Sequence, residues 1–227
     1  MKILFFSCIL FFSYCRAAVA QHDSTAKPIQ TSTIKVFLNG GLNFPYTEVP
    51  DPLIRPLFGI SADFTLLPDL DLNLELNAGS MEAGTAGEMN VLGFTNNYID
   101  VIATGRLRPF AIMKNPSGNK GLKILSGIFA GTGIGFISYQ ANPNPMPASP
   151  AWNPLDSTRR LDFYFPLEGG IILPVLSLKN DRHVFIQALY RVHFCFSDKL
   201  DGYDPLSEQN RKKDAFNSLR FGIGLDF

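Results

Sequence analysis

The feature that most restricts the fold of this chain is a strict alternation of apolar and polar residues over long stretches. The clearest stretch covers residues 70–78 and places four leucines and an alanine opposite two acidic residues and two asparagines. A helix would spread both sets around its circumference, whereas a strand places them on opposite faces. The pattern therefore predicts β-strands with one apolar face and one polar face.

The chain contains eight alternating stretches of this kind. They cover residues 34–44, 57–66, 70–78, 98–108, 122–139, 161–173, 183–196 and 219–227. Strands that cross a bilayer at a tilt need about 9–11 residues, whereas strands in soluble proteins average about five or six. The lengths indicate membrane-spanning strands.

The connections between the stretches also differ in length. Those after the second and sixth stretches are short, while those after the first, third, fifth and seventh are long. Outer-membrane barrels have short periplasmic turns and long external loops, with an even number of strands. We therefore predict an all-β fold, an eight-stranded antiparallel transmembrane β-barrel over residues 33–227.

Two of the predicted strands contain residues that disturb regular pairing. The fifth is rich in glycine, which in a barrel strand marks a bend or a place where interior side chains need room. The sixth contains Pro166, which cannot donate a ladder hydrogen bond, so we expect a bulge or a local break near it.

The N-terminus predicts export. Met1 and Lys2 precede an apolar run over residues 3–15, and Ala18-Val19-Ala20 follows it before a polar segment. These features describe a secretory signal peptide, residues 1–20, cleaved near Ala20, with an uncleaved anchor as the alternative. Residues 21–32 are polar and are expected to form a disordered lead.

Charge and cysteine content narrow the class further. Lys and Arg number 20 against 20 Asp and Glu, so no net field attracts a polyanion, and nucleic acid is not expected as a partner. After cleavage only Cys195 remains of the three cysteines, so no internal disulfide can form.

Alternation alone does not decide which face is outside. A soluble lipocalin-like barrel would turn its charges to water, whereas a membrane barrel of eight strands would turn them into a narrow lumen as a paired network. The strand lengths favour the membrane barrel. We predict that the lumen network consists of Lys35, Asp63, Asp71, Glu75, Asp100, Arg106, Arg108, Asp162, Glu168, Arg191, His193 and Arg220.

The last stretch carries a resemblance to a known group. Its alternate residues, Phe221, Ile223, Leu225 and Phe227, resemble the C-terminal signal that the barrel-assembly machinery reads in outer-membrane proteins. The chain after the signal peptide resembles the small OmpA-like and OmpX-like outer-membrane barrels, and Asn96-Asn97-Tyr98 resembles versions from Bacteroidetes. The resemblance implies bacterial outer-membrane localisation, with outer-membrane lipid and the assembly machinery as partners.

Some barrels of this size are enzymes that act on lipid A or phospholipid, which makes the histidines candidate catalysts. His193 falls near the outer rim, and Ser138 or Ser197 could supply a nucleophile. We expect instead that His193 faces inward and pairs with a carboxylate, and that the chain is not an enzyme. The sequence shows neither a phosphate-binding glycine loop nor metal-ligand spacing, and we expect no cofactor.

The third long loop is rich in proline and contains the one tryptophan, Trp152. Trp152 could anchor a surface partner or lie against headgroups or the barrel rim. The leading functional hypothesis is a structural or surface-interaction role with a mostly plugged polar lumen. The alternatives are a narrow, porin-like pore or hydrophobic-compound transporter, a lipid-modifying enzyme, and a soluble lipocalin-like carrier.

Overall fold

A computed structural model describes residues 33–47, 49–84, 93–111, 120–143, 152–154, 159–179, 182–197, 199–205 and 213–227. The predicted signal peptide and lead lie outside these residues and stay predictions. Within them are the strands and helix β1 (Ile34–Tyr46), β2 (Pro52–Leu53), β3 (Arg55–Leu67), β4 (Leu70–Ala83), β5 (Phe94–Leu107), α1 (Lys120–Ser126), β6 (Ile128–Pro143), β7 (Trp152–Pro154), β8 (Arg160–Ser177), β9 (His183–Cys195), β10 (Tyr203–Pro205) and β11 (Ala215–Asp226).

The eight long strands form one closed sheet. Their order is β4-β3-β1-β11-β9-β8-β6-β5, and β5 pairs back onto β4. Every neighbouring pair is antiparallel. The first and last strands join through twelve paired positions, and the Phe227 amide extends the seam by donating to the Ile34 carbonyl at 2.9 Å. The predicted eight-stranded antiparallel barrel is confirmed.

The connections divide the barrel into two ends. We call the end with connections 68–69, 108–127 and 178–182 the turn end; β1 begins and β11 finishes there. The other end, which we call the loop end, carries connections 47–54, 84–93, 144–159 and 196–214. Above the loop end, β7 and β10 pair as a small separate sheet.

The polarity of the barrel is that of a membrane protein. Apolar side chains project outward and stay exposed, as in Leu38 at 65%, Phe58 at 67% and Phe221 at 58%, whereas charged side chains point inward and are buried. Water would penalise such an apolar exterior, and lipid would not. The strands, of 12–18 residues, are long enough to cross a bilayer. Among the described residues, no helix is long and apolar enough to span one.

The fifth strand was predicted to start at residue 122, and this start is wrong. Residues 120–126 form α1, and the strand begins at Ile128. This segment, Lys-Gly-Leu-Lys-Ile-Leu-Ser, has no period-two alternation and contains good helix formers. The Gly127 amide donates to the Ile124 carbonyl at 3.1 Å, and the Gly127 carbonyl then accepts from Ile172 in β8 at 2.9 Å.

Pro166 breaks one ladder without bulging the strand. On the β9 side its register with His193 continues unshifted. On the β6 side the pairs pass from Thr132–Leu167 to Gly135–Tyr164 in the same register, with two positions unpaired between them. The Thr132 hydroxyl donates to the Pro166 carbonyl at 2.9 Å and bridges the gap. The expected local break is present, while the register shift in β8 lies at Pro174–Leu176.

Gly135 shows why one of the glycines is needed in β6. A Cβ atom there would lie 2.1 Å from Cζ of Tyr164, whose ring crosses the interior from β8. The expectation that glycine leaves room for interior side chains is therefore confirmed at this position.

Candidate functional site: the barrel lumen

The middle of the lumen is filled by six charged side chains from six different strands. We call this group the ionic layer; its members are Asp63 (β3), Glu75 (β4), Arg106 (β5), Glu168 (β8), Arg191 (β9) and Arg220 (β11). Each lies on the inward face of its strand because its apolar neighbours in sequence face outward. The layer contains three cations and three anions, and all six side chains have zero exposed surface.

Arg106 connects the anions on one side of the layer. Its Nη1 donates to Oδ1 of Asp63 at 2.7 Å, and its Nε donates to Oε1 of Glu168 at 2.7 Å. The guanidinium also lies over the ring of Phe129, 4.8 Å from the ring centroid. Two anions and an aromatic face therefore hold one cation in place.

Arg191 and Arg220 complete the layer through Glu75. The Arg191 guanidinium donates to both carboxylate oxygens of Glu75, at 3.2 and 3.0 Å, and to Glu168 at 2.5 Å. Arg220 forms an ion pair with Glu75 as well, and Nη2 of Arg106 lies 4.0 Å from it. Glu75 thus contacts all three arginines of the layer, whereas Glu168 contacts two of them.

Neutral polar side chains donate to two of the carboxylate oxygens that Arg106 also contacts. Asn73 donates to Asp63 at 2.6 Å, and Thr104 donates to Glu168 at 2.9 Å. Buried charges are tolerated only when they are paired and hydrogen-bonded in this way. Eight strands enclose space for side chains, and the six side chains of the layer occupy that space with no exposed surface.

A second polar group lies toward the turn end. Arg108 pairs with Asp71 at 2.9 Å, and Lys35 donates to the Thr65 hydroxyl at 3.3 Å. The Lys35 ammonium also lies 5.8 Å from the ring centroid of Phe185. These predicted lumen residues face inward but are separated from the ionic layer in their described contacts.

Asp100 is held differently from the other buried carboxylates. It accepts hydrogen bonds from the Asn77 amide at 2.7 Å and the Tyr164 hydroxyl at 2.8 Å, with no cation within ion-pair distance among the described residues. It belongs to a polar cluster of neutral donors above the ionic layer, where Asn43 also donates to the Tyr98 hydroxyl at 2.7 Å.

Asp100→Asn is expected to change the free energy of unfolding by less than about 1 kcal/mol, because the amide retains an acceptor for Asn77 and a donor for Tyr164. Asp100→Leu is expected to cost about 1–3 kcal/mol for each partner left unsatisfied. Urea titration, followed by the electrophoretic shift between folded and unfolded barrel, measures both. An Asn variant as unstable as the Leu variant would show that the negative charge itself is required.

The expectation that His193 pairs with a carboxylate is wrong. His193 is fully buried, and its Nε2 lies 3.1 Å from the Ser218 hydroxyl. Its ring stacks on Phe216 with centroids 3.8 Å apart and planes 11° apart, and it also packs on Tyr164. Aromatic neighbours on adjacent strands fill the space that an acid would have needed.

Neither serine proposed from the sequence contacts His193 in the described structure. Ser138 accepts a hydrogen bond from Arg159 at 2.9 Å, and Ser197 is close to Tyr139. The Ser218–His193 pair is enclosed in the barrel, and no described acid orients the imidazole. A hydrolytic arrangement requires a base held by a third group and access to substrate.

The loop-end half of the lumen contains a cluster of buried apolar and aromatic side chains beside its buried polar residues. Tyr98, Ile102, Ile137, Tyr164 and Phe216 form one buried cluster there. The sequence analysis did not predict these inward aromatics. Tyr98 is nevertheless two positions before Asp100, and Tyr164 four positions before Glu168, so each lies on the same face of its strand as a charged residue. The positions of the charged residues in the alternation could therefore have predicted that these aromatic side chains face inward.

A loop segment covers this cluster at the loop end of the barrel. Leu200 is 2% exposed and packs in the same cluster, and its carbonyl accepts from the Asn96 amide at 2.7 Å. Its own amide donates to Asp214 at 2.7 Å. Gly202 has a φ of 83° and lies against Ala141 and Pro143, so the turn requires glycine. Residues 199–202 therefore cap the lumen.

The remaining predicted residues lie at the rims or outside. Asp162 is half-buried near the loop end, where it accepts from the Phe163 amide at 2.8 Å, apart from the ionic layer. Trp152 pairs through its backbone with Pro205. The four residues of the predicted assembly signal all project outward from the seam, and they are Phe221, Ile223, Leu225 and Phe227. Among the described residues, no cluster of His, Cys, Asp or Glu is placed to hold a metal.

A closed eight-stranded barrel with an apolar exterior and an ionic interior has the architecture of a transmembrane β-barrel. Solved structures similar to it include Ail of Yersinia pestis in complex with the heparin analogue sucrose octasulfate, at 11% identity, with 87% of this chain and 100% of that chain covered and a TM-score of 0.45.

A major outer membrane protein from Thermus thermophilus is similar at 12% identity, with 86% and 99% covered and a TM-score of 0.47. Neisserial surface protein A is similar at 12% identity, with 85% and 95% covered and a TM-score of 0.43. No protein-family model matches the chain, and no curated protein sequence matches it either.

Proposed function

We propose that this chain is a bacterial outer-membrane barrel that does not conduct through its lumen and acts as a structural element or through its external loops. The observation that carries the proposal is the ionic layer, whose six side chains are paired across the lumen with no exposed surface. The capped aromatic cluster above it adds a second barrier.

The orientation follows from the connections. Two of the three turn-end connections, 68–69 and 178–182, are short, and the third, 108–127, contains α1. Short turns face the periplasm in outer-membrane barrels and long loops face outward, so in this proposal the turn end is periplasmic and the loop end external. In this proposal residues 1–20 are removed during export, residues 21–32 are a lead, and residues 33–227 form the barrel. Phe221, Ile223, Leu225 and Phe227 are proposed as the signal for the assembly machinery, because they form an outward row on the closing strand.

The external loops are the proposed surface for a partner. The two longest of them, 144–159 and 196–214, pair with each other in the small sheet of β7 and β10. Trp152 lies in that sheet, which supports its proposed role in a contact. We also propose that the chain is not an enzyme, since His193 is enclosed and has a serine and aromatic rings as its described neighbours.

Planar-bilayer recording tests the proposal directly. The full barrel, refolded into lipid and verified by a heat-dependent shift in electrophoretic mobility, is expected to give no steady channel. Unfolded protein, which shows no heat-dependent mobility shift, serves as the control for bilayer leakage that unfolded chains cause. A stable conductance that tracks the folded fraction would contradict the plugged lumen and favour the narrow-pore alternative.

A further inference from the structure

The outer surface of the barrel contains an apolar groove at the turn end of the β1–β11 seam. The groove has a volume of about 440 Å³, and its lining includes Val36, Leu38, Val184, Ile223, Leu225 and Phe227. Phe37, which points into the lumen, forms its floor with Gly224. Because almost all of its lining is apolar and it opens to the membrane side, an occupant must be hydrocarbon in this region.

The positively charged side chain of Arg182 lies at one end of the groove. Arg182 is the last residue of the connection between β8 and β9, and its guanidinium lies over the ring of Phe227, 5.2 Å from the ring centroid. Phe227 is itself part of the groove lining. The ring contact holds the exposed guanidinium beside the apolar surface, and in the described part of the chain no carboxylate forms an ion pair with it.

The charge of the turn end matches an anionic headgroup. By sequence, its three connections contain five basic residues besides Arg108, which pairs with Asp71 in the lumen. These are Lys114, Lys120, Lys123, Lys179 and Arg182, and the acidic residues of the connections are Asp69 and Asp181. Basic residues at a membrane boundary attract lipid phosphate, and arginine binds phosphate through two parallel donors.

We propose that this groove binds one phospholipid of the leaflet on the turn-end side, with an acyl chain along Leu38, Val184 and Ile223 and the phosphate on Arg182. The apolar channel and the fixed guanidinium lie side by side, as the two parts of such a lipid require. The site differs from the general lipid contact of the barrel wall because it combines a concave surface with a positioned cation.

Native mass spectrometry of the full barrel, refolded in vesicles of phosphatidylcholine and phosphatidylglycerol, tests this site. The wild-type barrel is expected to retain one phosphatidylglycerol after detergent extraction. Arg182→Gln is expected to lower the retained fraction about tenfold, through loss of charge-assisted hydrogen bonds. Val184→Trp, which fills the groove, is expected to lower it to a similar extent.

Two matched substitutions serve as controls. Lys179→Gln removes a charge from the same turn, and Leu74→Trp adds a ring to an outward position on β4, away from the groove. Both are expected to retain lipid as the wild type does. Equal retention in all five proteins would show that the lipid is not held at this groove, and a loss with Arg182→Gln alone would indicate a headgroup contact without an acyl chain in the groove. Either result would overturn the proposal.

The inference rests on the transmembrane placement proposed above, and the experiment separates the two. Each protein is first checked for the heat-dependent mobility shift after refolding in vesicles. If the wild-type barrel does not insert, the proposed function itself fails. If it inserts and retains no phosphatidylglycerol, only the lipid site is wrong.

Discussion

Glu75→Gln is expected to lower the free energy of unfolding by about 3–5 kcal/mol, because it leaves buried arginines without their common anion. Arg191 donates to both oxygens of Glu75, and Arg220 forms an ion pair with it. The neutral amide keeps the size of the side chain, so the loss reports charge balance and not packing. Urea titration of the refolded barrel, read from the mobility shift, measures it.

The same substitution at the rim provides the control. Glu82 pairs with Arg55, whose side chain is 41% exposed, so Glu82→Gln is expected to cost at most about 1 kcal/mol. Adding Arg220→Met to Glu75→Gln restores the balance of charge in the layer and should recover part of the lost stability. If the two glutamine variants are equally stable, or if the double variant is no better than Glu75→Gln, the ionic layer does not depend on Glu75.

Gly135→Val is expected to destabilise the barrel by about 1–3 kcal/mol through overpacking. The new Cβ would lie 2.1 Å from Cζ of Tyr164, so the ring must move. Movement would also weaken the 2.8 Å hydrogen bond from the Tyr164 hydroxyl to Asp100. The same urea titration measures the loss.

A double-mutant cycle makes this prediction specific. Tyr164→Ala removes the obstructing ring, so the combination with Gly135→Val should cost less than the sum of the two single changes, with a coupling of about 0.5–3 kcal/mol. Gly105→Val is the control, since its Cβ would have the Thr132 carbonyl at 4.0 Å as its nearest neighbour. Additive effects, or an equal loss at Gly105, would show that contact with Tyr164 is not the cause.

The sequence by itself determined the eight strands, apart from the start of the fifth, and which side chains share a face. Period-two alternation assigns each side chain to one of two faces, and a shift of one residue would move a whole strand's apolar set to the opposite face. Alternation placed Glu75, Arg106 and Arg191 on the polar face, and the strand lengths then indicated that this face lines the lumen. The same rule also applied to Tyr98 and Tyr164, but attention to charge left those aromatics out of the predicted interior.

Only the tertiary structure decided which inward residues meet. Partners such as Glu75 and Arg191 are 116 positions apart and come from strands that are not neighbours in the sheet, so their contact depends on closure and stagger of the whole barrel. The alternation tells which face of the strand a side chain lies on. It does not tell how far along the barrel axis the side chain lies or which residue it contacts. For this reason we predicted a carboxylate partner for His193, whereas in the fold it contacts Ser218 and Phe216. For the same reason the sequence did not predict that Leu200 covers the lumen.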